Sequence, residues 1–481
     1  MKRNTRLMSL LLAALTLSCA VSCGDTKAPD SGNVTTDTQP DETTVDVFNG
    51  LERKDYGGRE FNFLVREDKW KLYVVEEMTG DVLDDAIYRT QHTVEEEFGA
   101  KINYISINGA AANKEAYLGT IRASIQSGDG AFDLVDGYAA FIGGLYADHL
   151  FMNLYDVPGL RLDKEWWSKL VLDELTVNGR IYSMVGDLSQ TTYQNLLVTF
   201  FNKDMFDDLQ YEAPYQLVRD GKWTFDAYKK LVKGAARDLN GDGVMDQSDI
   251  WGVVFTDDIG LDNFHYQYGI FYTERAADGT VSANLMSEKL VSLYDEFSAF
   301  LATPDVFPTY TFATAEDIFY NKRALFMTNA PLGRAIGMRD EEVEFGILPS
   351  PKGSEEQEYY YTSARDGRTM VCVPVDVKDA EFAGTITEAL CSASHEIMIP
   401  AFYNIALKGK STRDDESGEM IDIARAGLVF DFVEEHAAQM QRAGWIFRDC
   451  IANKRDLSSY YASNEAKFKA AFDSFVETYY D

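Results

Sequence analysis

Between Phe61 and Tyr138 the apolar residues switch repeatedly between a two-residue and a helical period, and this alternation restricts the fold more than any other feature. Phe61-Asn62-Phe63-Leu64-Val65 reads as a strand. Leu83, Ile87, Val94 and Phe98 then share one helical face, which stops at Gly99. Lys101 to Ile105 is a second strand. Tyr117, Leu118, Ile121 and Ile125 mark a second helix ending near Gly128, and Phe132-Asp133-Leu134-Val135 is a third strand. Strand, helix, strand, helix, strand at this spacing predicts an α/β fold: a parallel sheet with right-handed crossovers. Ligands of such sheets collect beyond the carboxyl ends of the strands. Asp136 and Tyr138, just past the third strand, are therefore candidate ligand contacts; a capping Asp and a packing Tyr are the competing reading.

The start of the chain reads as an address. Lys2, Arg3 and Arg6 precede an apolar run from Leu7 to Val21, a signal peptide at 1–22 that is too short to span a bilayer. Ala20-Val21-Ser22-Cys23 resembles the lipobox of bacterial lipoproteins, which implies cleavage before Cys23 and diacylation (palmitate included) of its thiol. Residues 23–50 are expected to be a flexible tether, because Asp, Thr, Ser, Pro and Gly from Asp25 to about Val47 cannot bury enough apolar surface to fold. These features place the protein on the outer face of the bacterial cytoplasmic membrane, held by lipid alone.

A length of 481 residues fits two lobes rather than one core. The net charge of −33 excludes nucleic acid and anionic membrane surfaces as partners, since both demand clustered Lys and Arg. Cys372, Cys391 and Cys450 lie in apolar contexts without CxxC or zinc spacing, so they read as buried free thiols, with one bridge left open. Catalytic motifs are missing from the sequence. His395-Glu396 begins an HExxH pattern that Ile399 breaks, and neither a G-x-S-x-G elbow nor a P-loop occurs. A glycosidase needs only two placed carboxylates, and the chain's 78 Asp and Glu leave that reading open.

In mid-chain, Asn178-Gly179 predicts a hairpin between Leu175-Thr176-Val177 and Arg180-Ile181-Tyr182. A polar connector, Asp187 to Asn195, leads to an apolar strand, Leu196 to Phe201, closed by Asn202-Lys203-Asp204. This arrangement reads as a crossing between lobes, with 189–195 both hinge and cleft floor. Tyr193 is the best single residue for ligand contact, with Gln194 beside it. Thr224 suits a helix N-cap, Trp223 a staple on Tyr228, and the helix is expected to reach about Arg237. Next comes Asp238-Leu-Asn240-Gly-Asp242-Gly243-Val244-Met-Asp246-Gln-Ser-Asp249. Oxygen side chains at positions one, three, five, nine and twelve, Gly at six and the Val244 carbonyl match an EF-hand-type loop. Asp238, Asn240, Asp242, Val244, Asp246 and Asp249 are thus the expected ligands of a structural Ca2+. An Asp/Gly-rich turn without metal is the alternative.

The order of these pieces resembles the extracellular solute-binding proteins, family 1, of bacterial ABC importers. The likeness runs from the lipobox through Trp166-Trp167, Gly186-Asp187 and Phe201-Asn202-Lys203-Asp204 to Asp317–Met327 and Phe345-Gly346-Ile347-Leu348-Pro349. It implies a two-lobe periplasmic-binding-protein-like fold with a hinge and a central cleft: lobe 1 at 51–190 plus about 345–400, lobe 2 at 191–344 plus about 401–481. It further implies a cleft position at Asn329, after the strand following Asp317–Arg323. Arg365, in the polar loop 362–366, is a candidate for binding a carboxylate or sugar hydroxyls, with a solvent-exposed arginine as the competing reading. Tyr266, in the aromatic run 255–272, is a cleft candidate with core filling as the competing reading. Trp445 reads as core-facing, with a position on the cleft as the alternative. The implied function is capture of a sugar or oligosaccharide by a monomer, through hinge closure, and delivery to the transmembrane subunits of an ABC permease, without catalysis. The alternative is an extracellular carbohydrate-active enzyme or a glycan-capture lipoprotein without a permease.

Overall fold

The computed structural model describes residues 46–256, 259–308, 311–338, 341–407 and 415–480. The signal peptide, Cys23 and the tether up to residue 45 lie outside the described residues. Folded chain starts earlier than the tether's expected end at 50, because Phe48 is buried with its ring edge-on to Phe98, 5.0 Å away.

Among the described residues the strands are β1 (Arg59–Arg66), β2 (Ala100–Ile107), β3 (Leu134–Tyr138), β4 (Leu197–Asn202), β5 (Trp251–Phe255), β6 (Thr273–Arg275), β7 (Val281–Ala283), β8 (Ala324–Pro331), β9 (Phe345–Leu348) and β10 (Thr369–Cys372). They build a sheet of order β10-β3-β1-β2, a second of order β5-β8-β4-β9, and a β6-β7 ribbon. β1 pairs in parallel with both β2 and β3, as the alternating pattern predicts. β10 adds an antiparallel edge.

Local chemistry sets the crossover helices. Asp81 caps Val82–Phe98 by accepting from the Leu83 and Asp84 amides, and Gly99 ends it in the left-handed region at φ 52°. Lys114–Ser127 ends the same way at Gly128. The third strand starts later than expected, at Leu134; just before it the Asp133 amide donates to Asn62 O and its carboxylate accepts from the Asn62 amide, both at 2.8 Å.

The Asn-Gly turn forms as predicted, with Asn178 at φ 51° and Gly179 at φ 72°, closed by a Val177–Arg180 bridge. No strands flank it: Leu175 ends the helix Lys169–Leu175. β4 is buried along its whole length between β8 and β9. Thr224 caps Phe225–Val232, and Trp223 meets Tyr228 edge-on at 5.9 Å. That helix stops well short of Arg237, where the chain turns through Gly234 at φ 79°.

Two lobe limits also move. Residues 345–348 pair with β4 in the second sheet, so the chain returns to the first sheet only through 363–368, not at 345. The final helix, Leu457–Glu477, belongs to neither lobe alone. It packs on the second-lobe helix Glu288–Leu301, while Tyr479 beyond its end lies 5.1 Å from Tyr182 of the first. Cys372, Cys391 and Cys450 are free and buried. No helix among the described residues is long and apolar enough to cross a membrane.

Candidate functional site

Three passages of chain meet between the sheets. Leu196 and Ala364 form an antiparallel bridge, and Thr362 pairs in parallel with Leu428. The Leu197 amide donates to Ser363 O at 3.0 Å and the Arg365 amide to Asn195 O at 3.0 Å. These bonds make one narrow hinge of the segments near 195, 363 and 428. A nearly shut cleft of about 20 Å³ adjoins it, walled by Ala140, Tyr266, Arg365, Asp366, Trp445 and Arg448 among others. Ala140 follows the carboxyl end of β3, and Tyr266 lies on Ile259–Gln267, the helix after β5. Both are topologically expected ligand positions.

Charge in the cleft is buried and largely paired. Arg368 pairs with Glu435, both below a tenth exposed, and Arg448 Nη1 lies 3.0 Å from Asp262 Oδ2. Glu435 Oε1 is buried without a hydrogen-bond partner among the described residues. Burial pushes the Glu435 carboxyl up from the ordinary carboxylate range, and Arg368 pulls against it. The guanidinium groups of Arg448 and Arg442 lie 4.4 and 4.7 Å from the centroid of the Trp445 ring. Fixed donors, acceptors and an aromatic face in a desolvated slot are what orient a polyhydroxylated ligand.

The residues singled out from sequence divide between this cleft and other places. Arg365 lines it, its guanidinium 4.8 Å from the Phe312 ring. Tyr266 lines it too, its hydroxyl accepting from the Asp431 amide at 2.9 Å. Tyr138 packs in the small cluster of Ala140 and Trp445, with its phenol pushed by burial up to about 12. Asp136 instead pairs with Arg66 at 3.1 Å, both side chains fully buried, and so braces β1 against β3. Asn329 holds a left-handed conformation at φ 50°, and its amide is bound inside the second lobe. Its oxygen accepts from Asn263, Gln267 and Ser350, and its nitrogen donates to Gly260 O. Gln194 donates to Gln190 Oε1 at 3.1 Å.

Tyr193 lines a different cavity of about 370 Å³, walled by Trp166, Gly186, Asp187, Asp422, Arg425 and others, which shares no residue with the cleft. Trp445 is buried, as the core-facing reading expects, yet it also lines the cleft. It stands apart from the main core, in a cluster with Ala140 and Ala437. Arg442 and Arg448, three residues to either side, were the sequence signal for a ring held by charge. Glu434 and Glu435 carried no such signal, since their partners lie far away in the chain.

The Asp-rich loop has its turn in place. Asp238 accepts from the Gly241 and Gly243 amides at 2.7 and 2.8 Å, and Gly243 has φ 79°. Asp242 accepts from Val244 N, and Asp249 from Leu239 N and Asp246 N. Among the described residues no three His, Cys, Asp or Glu side chains converge as metal ligands. A cation here would therefore need the Asn240 amide and the Val244 carbonyl, which are hard oxygen donors of the kind calcium takes.

Residues 93–399 match the family model described as bacterial extracellular solute-binding protein. Solved structures share the fold at low identity. One is the maltose/maltodextrin-binding domain MalE from Bdellovibrio bacteriovorus bound to maltotriose (16% identity, TM-score 0.50, 87% of this chain and 98% of that one). Another is an ABC substrate-binding protein from Listeria monocytogenes in complex with cycloalternan (14%, 0.52, 88% and 99%). A third is a cyclo/maltodextrin-binding protein complexed with maltotetraose (13%, 0.55, 88% and 96%). No curated protein sequence matches. With its two sheets, its triple-passage hinge and the match over 93–399, the chain belongs to the bacterial extracellular solute-binding proteins.

Proposed function

We propose that the protein captures a sugar or oligosaccharide between its lobes and hands it to the transmembrane subunits of an ABC permease, working as a lipid-anchored monomer. The observation that carries this reading is the cleft itself. Trp445 and Tyr266 face it together with Arg365, Arg448 and the half-satisfied Glu435. An aromatic face suits the apolar side of a sugar ring, and fixed charged groups read hydroxyls. The similar structures bound to maltotriose, cycloalternan and maltotetraose point the same way.

Binding would favour the shut form by bridging the lobes. A thermal-shift screen over mono- and oligosaccharides, amino acids and peptides tests the ligand class. A true ligand at a hundredfold excess over Kd adds about 2.7 kcal/mol of stability. Stabilisation by amino acids or peptides and by no sugar overturns the carbohydrate assignment.

Two finer parts of the reading have their own tests. Lipidation at Cys23 predicts that Cys23→Ser releases the protein into the medium and abolishes palmitate incorporation. For the Asp238–Asp249 loop we propose a structural calcium held by Asp238, Asn240, Asp242, Val244, Asp246 and Asp249. Calorimetry on chelator-treated protein should show calcium binding that Asp238→Ala removes. Silence at millimolar calcium removes the assignment.

A further inference from the structure

The cavity beside Tyr193 is bordered by polar groups that form one continuous series. Arg425 Nη2 donates to the Tyr193 hydroxyl at 3.1 Å. That hydroxyl donates to Asp187 Oδ1 at 2.5 Å, and Asp187 Oδ2 lies 2.6 Å from His395 Nδ1. The Arg425 guanidinium also lies over two rings, 4.8 Å from Tyr193 and 4.9 Å from Tyr403.

Each link belongs to a different element, and the ends of the series are anchored in different lobes. Arg425 lies on the helix Asp415–Ala426, which packs on β9 of the second sheet. That helix is also tied to second-lobe Arg219 through Glu416 and Glu419. His395 lies on Ala380–Glu396. That helix is bound to the first lobe by Asp379–Arg59 at 2.7 Å and by Glu388, which accepts from the Trp166 and Trp167 indoles. Tyr193, in the middle, is on the hinge helix Thr191–Asn195. The series therefore runs from one lobe through the hinge to the other without touching the cleft.

We propose that Arg425, Tyr193, Asp187 and His395 form a strap that holds the lobes in the arrangement seen here, with the cleft nearly shut, and so sets ligand affinity from outside the binding site. The effect on affinity rests on the ligand binding between the lobes; the effect on lobe separation does not. Apparent affinity scales with the fraction of molecules in the competent arrangement. A strap that favours that arrangement raises this fraction before any ligand arrives. These are positioning residues, since none touches the cleft.

The test uses the ligand-free protein with spin labels at Lys101→Cys and Lys289→Cys, exposed positions on the first-lobe strand β2 and the second-lobe helix Glu288–Leu301. The strap predicts a longer interlobe distance by electron-electron resonance in both Arg425→Met, which keeps the stem, and Tyr193→Phe, which keeps the ring. The double variant should go no further than either single one. An Arg219→Met control, outside the strap, should leave the distance unchanged. Unchanged distances in both strap variants overturn the proposal, as does an equal lengthening in the control, which would mean that loose docking of the helix is the cause. Maltotriose serves as the binding probe. If it binds, its affinity should fall about tenfold in the strap variants, and an unchanged affinity overturns the link to binding. If it binds none of the proteins while the distance still lengthens, maltotriose is excluded as the ligand and the strap's hold on lobe separation stands.

Discussion

The cleft and the junction cavity lie at the same hinge, yet they are built in opposite ways. In the cleft, charged side chains are paired among themselves and leave a buried acceptor, Glu435 Oε1, without a partner. At the junction, hydroxyl, carboxylate, imidazole and guanidinium are linked end to end. A site that must receive a polar ligand keeps unspent hydrogen-bonding capacity. Along the Arg425–Tyr193–Asp187–His395 series it is spent, although the neighbouring Tyr403 hydroxyl is buried without a hydrogen-bond partner among the described residues.

The sharpest break in this comparison should come from the scaffold beneath the cleft. Asp136→Ala leaves Arg66 buried without its ion-pair partner, and loss of one partner of such a pair typically costs about 3–5 kcal/mol. Chemical denaturation should show this loss, while any ligand affinity measured below the new midpoint stays unchanged. Trp445→Ala should do the reverse. We expect affinity to fall by roughly 2 kcal/mol, about thirtyfold, with a smaller loss of stability, because the ring lies outside the main core. Isothermal calorimetry and thermal melts on one sample separate the two outcomes.

A smaller effect should distinguish two histidines by pH. Hydrogen bonding to Asp187, opposed by burial, raises His395 above its ordinary value. Its contribution to stability is full below the unfolded pKa and is lost as pH rises through the folded one. Burial, then Arg368, lowers His436 to about 3. Its contribution is present above the unfolded pKa, near 6.5, and is lost as pH falls from there toward 3. His395→Gln should therefore destabilise more at pH 5.5 than at pH 8.5. An equal loss at both would show that the Asp187 contact carries no charge dependence.

Much of the fold was legible because it is written in short-range chemistry. The alternating periods between Phe61 and Tyr138, Gly99 and Gly128 as helix stops, Thr224 as a cap and Asn178-Gly179 as a turn each act within a few residues. The placement of β9 was not legible, because Phe345–Leu348 is an apolar run that either sheet could accept, and only its pairing with β4 decides. The candidate site was half legible. Arg365 and Tyr266 were reached through topology, which says where strands end. Tyr193 was singled out as an aromatic residue in a polar connector, and the same feature serves a partner, Arg425, that is remote in the chain. Trp445 was ranked as core for the matching reason: the first-lobe residue that shares its cluster and the cleft wall, Ala140, is remote in the chain.

The three buried cysteines bear on how this protein survives where its family works. Burial pushes Cys450 up to about 12 and raises Cys372 and Cys391 well above the ordinary thiol range. Thiolate is the species that oxidants attack, so in the native state these sulfurs are nearly inert. The protection is lent by the fold rather than by a bond, and it vanishes when the chain opens. An extracellular chain with an odd number of such thiols depends on folding faster than it is oxidised, and after one slow unfolding in an oxidising medium it has a chemical reason not to return.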